Sequence, residues 1–187
     1  MPIVTPFDNC YELAFNARNT IQPKWGKDQT GIIEYQFNSQ GFRGSCSYSW
    51  VPTHAFFGNS AVFGVGVNYD KIFASQFTNA HNYGLSGNYM NWHSIENLKK
   101  YMASPFHTLS TKIVFVWIDR PEVENIPVLI DQVNTLRSNV LHITMGDKYP
   151  TAINLMPSID YDVSGTHPGP KSHRMWAKTI KLLLNNV

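Results

Sequence analysis

Ser60 and His167 are the residues of this 187-residue chain whose surroundings best suit covalent chemistry. Ser60 follows a short apolar run, His54-Ala55-Phe56-Phe57, and the turn Gly58-Asn59. A serine that leaves a buried strand and enters a helix holds its hydroxyl at the sheet edge, beside backbone N–H groups with no partner in the helix. Those donors, with the helix dipole behind them, stabilise an oxyanion. The competing reading makes Ser60 a simple helix N-cap, a task serine performs well. His167 stands in Asp160-Tyr161-Asp162-Val163-Ser164-Gly165-Thr166-His167-Pro168-Gly169, just before a helix opened by Pro168 and Pro170. The positive end of a helix disfavours the imidazolium, so His167 stays neutral and able to take a proton near pH 7. Asp160 and Asp162 both precede it closely enough to orient the ring. Reach favours Asp162, because a turn containing Gly165 can fold its carboxylate back onto the imidazole. The plain alternative is an Asp-, Ser- and Gly-rich turn that caps the helix.

Other constellations are poorer. The glycines around Ser60 match neither G-x-x-x-x-G-K-[ST] nor G-x-G-x-x-G, so they form no nucleotide loop. His167 and His173 are too few and too far apart for a zinc pair, and H-E-x-x-H does not occur. His54, His81, His93, His107 and His142 are scattered and read as packed or surface residues. Cys10 and Cys46 allow at most one disulfide and no four-cysteine zinc site. No metal or cofactor is expected.

The elements that must position these residues begin near residue 51. Residues 1–50 carry Asn, Gln, Gly, Ser and Pro throughout, with one β-favouring run at Ile32–Phe37, and read as an irregular extension packed on the domain 51–187. Strands are expected at 54–57, near 80, at Lys112–Ile118 and at Val140–Met145. A short helix is expected over Asn68–Phe77, and a longer one over His93–Met102. Residues 122–138 also read as a helix, with Pro127 as a candidate for its true start. Trp176, Ala177, Ile180, Leu183 and Leu184 form one apolar face of a terminal helix. Strands alternating with helices imply right-handed crossovers and a mostly parallel sheet covered on both faces. Sites in such sheets gather at the carboxyl ends of the strands. That edge holds both the Ser60 and the His167 loops.

Taken together, the segments resemble the SGNH (GDSL-like) hydrolase family over roughly residues 35–187. Gly58-Asn59-Ser60 looks like its first block, usually Gly-Asp-Ser, and Phe63-Gly64-Val65-Gly66-Val67 is similar to its continuation. Asn82-Tyr83-Gly84-Leu85-Ser86-Gly87 resembles the second block, which would make Gly84 an oxyanion-hole donor beside the Ser60 N–H. His167-Pro168-Gly169 with Trp176-Ala177 is similar to the last block, and Asn38-Ser39-Gln40-Gly41-Phe42-Arg43-Gly44 to a lead-in found in some members. Three positions depart from the family pattern. Asn59 replaces an aspartate. Ile118-Asp119-Arg120-Pro121-Glu122 lacks the third block's asparagine, so either Arg120 or another group donates instead or the hole has two donors only. Ser164 stands where the family's catalytic aspartate precedes the histidine, which makes it a substitute orienter.

The resemblance implies a three-layer α/β/α flavodoxin-like fold. It also implies a serine ester hydrolase with Ser60 as nucleophile and His167 as base, while reach, not the resemblance, puts Asp162 behind the histidine. The alternative is a weak or inactive glycan- or partner-binding module on the same fold. Composition agrees with an ordinary folded domain: 43% of residues are hydrophobic and 15% charged. A net charge of +2 is too small to drive binding to a phosphate backbone, so no nucleic-acid partner is expected. No run approaches the length of a membrane span, and the N-terminus lacks the basic start and apolar run of a signal peptide. Cytoplasmic residence is therefore the default. Aromatic residues make up 13% of the chain, which favours an acetylated sugar over a long acyl lipid as the ester.

Overall fold

This computed structural model describes residues 42–43, 49–85, 91–118, 124–145, 152–154, 158–162 and 167–185. They form strands β1 (His54–Gly58), β2 (Ala80–Gly84), β3 (Lys112–Ile118), β4 (Val140–Met145) and β5 (Ile153–Asn154). The α-helices are α1 (Ser60–Phe63), α2 (Asn91–Met102), α3 (Ile126–Leu136) and α4 (Pro170–Asn185). Every strand pairing is parallel, in the order β2-β1-β3-β4-β5. The chain steps from β1 to β2 on one side and then returns to β3 on the other. The switch point therefore lies at the carboxyl ends of β1 and β3, where ligands bind in open α/β sheets.

The two-residue period of the strands divides the interior into two cores. Phe56, Val114, Val116 and Ile143 point to one face, where they meet Ala61 and Val62 of α1 and Trp176, Ala177, Ile180 and Leu184 of α4. Ala55, Phe57, Ile113, Phe115 and Trp117 point to the other. There they meet Ile95, Leu98 and Tyr101 of α2 and Ile126, Ile130 and Val133 of α3. Helices thus cover both faces. Strands buried on both sides read as continuous apolar runs, as Ile113-Val114-Phe115-Val116-Trp117 does. Among the described residues, no helix is long and apolar enough to cross a membrane.

Three elements differ from their sequence expectation. Asn68–Phe77 is not one helix but two 3-10 turns, Tyr69–Lys71 and Ala74–Gln76. Ile72 is extended between them, φ −70° and ψ 151°, and the Phe73 N–H that follows donates to Nδ1 of His173 in α4 at 3.2 Å. The third helix covers Ile126–Leu136 rather than 122–138, with Asn125 as its N-cap and Pro127 in its first turn. Pro168 lies outside α4, in an antiparallel bridge with Tyr161. Cys10, Cys46, the Ile32–Phe37 run and most of the 1–50 extension lie outside the described residues. Phe42 and Arg43 of that extension are described, and both are buried.

Candidate active site

Ser60 sits at the first position of α1, two residues beyond the carboxyl end of β1. The N-cap is Asn59, whose side chain accepts from the Ala61 N–H at 3.4 Å. Capping is therefore done by the neighbour, and no hydrogen bond engages the half-buried Ser60 hydroxyl among the described residues. α1 is a single turn ended by Gly64 in the left-handed conformation, φ 80°. The donors near Ser60 are accordingly local N–H groups, not the end of a long helix dipole.

Gly84 closes β2 directly against this turn. A side chain there would collide with the backbone of Val62 and Phe63, so glycine is what allows β2 and α1 to touch. Asn82 locks the contact, donating from Nδ2 to the Val62 carbonyl at 2.9 Å. Its Oδ1 accepts the Gly84 N–H, also at 2.9 Å. The Gly84 N–H is thus engaged by Asn82 here, and the absence of a side chain at Gly84 lets the two elements meet. The Ser60 N–H is the expected donor that remains. Arg120 and Ser164 lie outside the described residues.

The His167 loop is folded back on itself. The Asp162 N–H donates to the His167 carbonyl at 2.7 Å, and the His167 N–H donates to Asp162 Oδ1 at 3.1 Å. Asp162 Oδ2 then lies 3.9 Å from His167 Nδ1, its side chain fully buried while 30% of the imidazole side chain is exposed. Burial pushes the His167 pKa below 6.5, and the Asp162 charge offsets this only in part. The first cause of that lowering is desolvation rather than a helix end.

Asp160 is occupied elsewhere. Its carboxylate accepts from the Lys171 N–H at 2.8 Å and from the Ser172 N–H and hydroxyl, each at 2.6 Å, so it caps α4. Burial pushes its pKa up, but the Ser172 and Lys171 hydrogen bonds outweigh that and leave it below the ordinary value. Of the two aspartates, the one that faces the imidazole is Asp162.

The Ser60 and His167 segments meet through Gly66. This residue, at φ 73°, lies so close to Asp162 that a side chain on it would overlap the carboxylate. The turn after the serine thus forms a wall of the aspartate's pocket. A further residue completes the arrangement. Arg43 is 1% exposed and donates from Nη1 to the Phe63 carbonyl at 3.0 Å and to the Gly64 carbonyl, and from Nη2 to the Val67 carbonyl. Only its place in the lead-in segment marks it in the sequence.

Among the described residues, no three His, Cys, Asp or Glu side chains stand close enough to hold a metal ion. At the same carboxyl edge, Asn91 begins α2 and bonds both backbone groups of Ile118, the last residue of β3. The next residue, Trp92, is 47% exposed and stacks on His93 at 3.6 Å. Tyr161, beside Asp162, is exposed as well. Comparison of the chain with protein-family models, with curated proteins and with solved structures returned no match.

Proposed function

We propose that this chain is a serine ester hydrolase of the SGNH type, acting on a small acyl ester. The observation that carries the reading is the pairing of a fully buried Asp162 carboxylate with a partly exposed His167, whose pKa burial lowers. In this reading the carboxylate favours the tautomer with Nδ1–H toward it, and Nε2 is the proton acceptor. The strand order β2-β1-β3-β4-β5 supports a flavodoxin-like frame, in which Ser60 follows the strand at the switch point.

In this reading the Ser60 Oγ attacks the ester carbonyl carbon while His167 Nε2 takes the hydroxyl proton. The carbonyl π electrons move to oxygen, and the Ser60 N–H donates to that oxyanion. Collapse expels the alcohol, which leaves with the proton from His167, and the acyl group remains on Ser60. Water, deprotonated by the same imidazole, then releases the acid and restores the serine. Asp162 stabilises the imidazolium formed in each half.

The exposed Trp92 and Tyr161 support a carbohydrate as the alcohol portion, since aromatic faces pack against sugar rings while their polar edges stay wet. A second reading, a weak or inactive glycan-binding module on this fold, is favoured by the engagement of the Gly84 N–H. Losing one oxyanion donor typically lowers turnover by about a hundred- to a thousandfold. Turnover of p-nitrophenyl acetate, with loss of that turnover on labelling by a serine-directed fluorophosphonate, separates the two. The label must map to Ser60 for the hydrolase reading to stand.

A further inference from the structure

The last carbonyls of a helix have no partner within it and must find donors elsewhere. At the end of α1 that donor is a guanidinium from far upstream in the chain. Arg43 reaches the carbonyls of Phe63, Gly64 and Val67, and its charge also lies over the Phe63 ring, 5.3 Å from the centroid. A planar fork spans three carbonyls in fixed geometry, which the single ammonium of a lysine cannot do. The residues so held enclose Gly66. Gly66 in turn lies flat against the Asp162 carboxylate, and the same carboxylate faces His167. A continuous chain of contacts therefore runs from Arg43 through the turn to the imidazole.

We propose that Arg43 is a positioning residue for the Asp162–His167 pair, its guanidinium holding the Phe63–Val67 turn so that Gly66 seats the carboxylate against the ring. The proposal rests on the hydrolase reading for its effect on turnover, and on geometry alone for its effect on His167. The hydrogen bonds that hold the turn run from Arg43 to backbone carbonyls. Its influence passes through backbone, which is why a conservative change of the side chain tests it.

Two variants of the full chain, Arg43→Lys and Gly66→Ala, probe the two ends of this path. Lysine keeps the charge but loses the fork. Alanine leaves Arg43 intact and displaces the carboxylate directly. The first readout is the His167 ring titration by NMR on histidine-labelled protein, assigned with His167→Gln. Both variants are expected to lower the His167 pKa by at least about half a unit, because the charge that supports the imidazolium moves away. The second readout is p-nitrophenyl acetate turnover, where kcat is expected to fall at least tenfold with KM within about twofold. Folded variants with an unchanged titration and unchanged kcat would overturn the proposal. So would an Arg43→Lys protein that fails to fold beside a fully active Gly66→Ala protein. Wild-type protein without Ser60-dependent turnover sinks the hydrolase reading instead, and the titration still decides the positioning role.

Discussion

The Asp162 carboxylate holds His167 at two points, Oδ1 receiving its backbone N–H at 3.1 Å and Oδ2 facing its ring Nδ1 at 3.9 Å. One side chain therefore fixes where the residue sits and sets a carboxylate beside its ring. The five-residue span from Asp162 to His167 is closed by a further backbone bond, from the Asp162 N–H to the His167 carbonyl. Asp162→Asn keeps an acceptor for the backbone N–H but offers no charge to the ring and admits the wrong tautomer. In serine proteases the equivalent change costs about 10⁴ in turnover. Here a loss of at least a hundredfold in kcat is expected, with little change in melting temperature. Retention of more than a tenth of wild-type kcat would contradict this role for Asp162.

Adjacent residues divide two tasks at the start of α1. Asn59 caps the turn, and among the described residues the Ser60 hydroxyl makes no hydrogen bond. Ser60→Ala is expected to abolish turnover by several orders of magnitude while stability stays within about 0.5 kcal/mol, the usual range of a change that touches no cap or core. Asn59→Ala is expected to cost about 1 kcal/mol through the lost cap. Urea titrations of both variants beside wild type measure the contrast. A destabilisation of Ser60→Ala matching that of Asn59→Ala would return Ser60 to a structural role.

Much of this arrangement is legible in the sequence, because buried parallel strands and the terminal apolar helix announce themselves by composition and period. Those two signals alone place Ser60 and His167 at the same sheet edge. What escapes does so for identifiable reasons. Asn59 and Ser60 are both good caps, and their sequence alone does not rank them. The Gly84 N–H is taken by a side chain two residues back, a local bond that Asn82-Tyr83-Gly84 permits but does not require. The Phe73 N–H, after the break at Ile72, bonds His173, a hundred residues on. Arg43 is an isolated cation in a polar stretch, and nothing in its neighbours signals burial. Nor does β5 stand out, being two residues long.

The pH dependence of turnover follows from His167. The base works only when neutral, and burial holds its pKa below 6.5. Accordingly kcat/KM is expected to stay level on acidification past pH 6.5 and to fall only below it, as the free imidazole takes up a proton. A profile that already halves at pH 7, or that shows no acid limb, would exclude His167 as the base.

Stability should respond to acid over a wider range, through three histidines that the mechanism does not use. His81 and His173 are fully buried and His142 nearly so. Burial lowers the pKa of His81 to about 3 and of His142 to about 4. His173 is also lowered to about 4, first by burial and then by the charge of Arg43, with Asp160 opposing. Each is neutral when folded, and each takes a proton near pH 6.5 once unfolded. Below that value the unfolded chain binds more protons than the folded one, so stability is full above about pH 6.5 and declines as the pH falls. The slope is about 1.4 kcal/mol per pH unit for each residue, so three together approach about 4 kcal/mol per unit between pH 6 and pH 4. A domain with ordinary stability, about 5–15 kcal/mol, cannot sustain that decline for long. The protein is therefore expected to unfold in acid before its carboxylates are fully protonated. Urea titrations at pH 7.0, 5.5 and 4.5 measure the slope. His142→Gln is expected to reduce it by about a third, because glutamine accepts the Trp117 indole N–H without titrating. A stability unchanged from pH 7 to pH 4.5 would mean that these rings are charged within the fold.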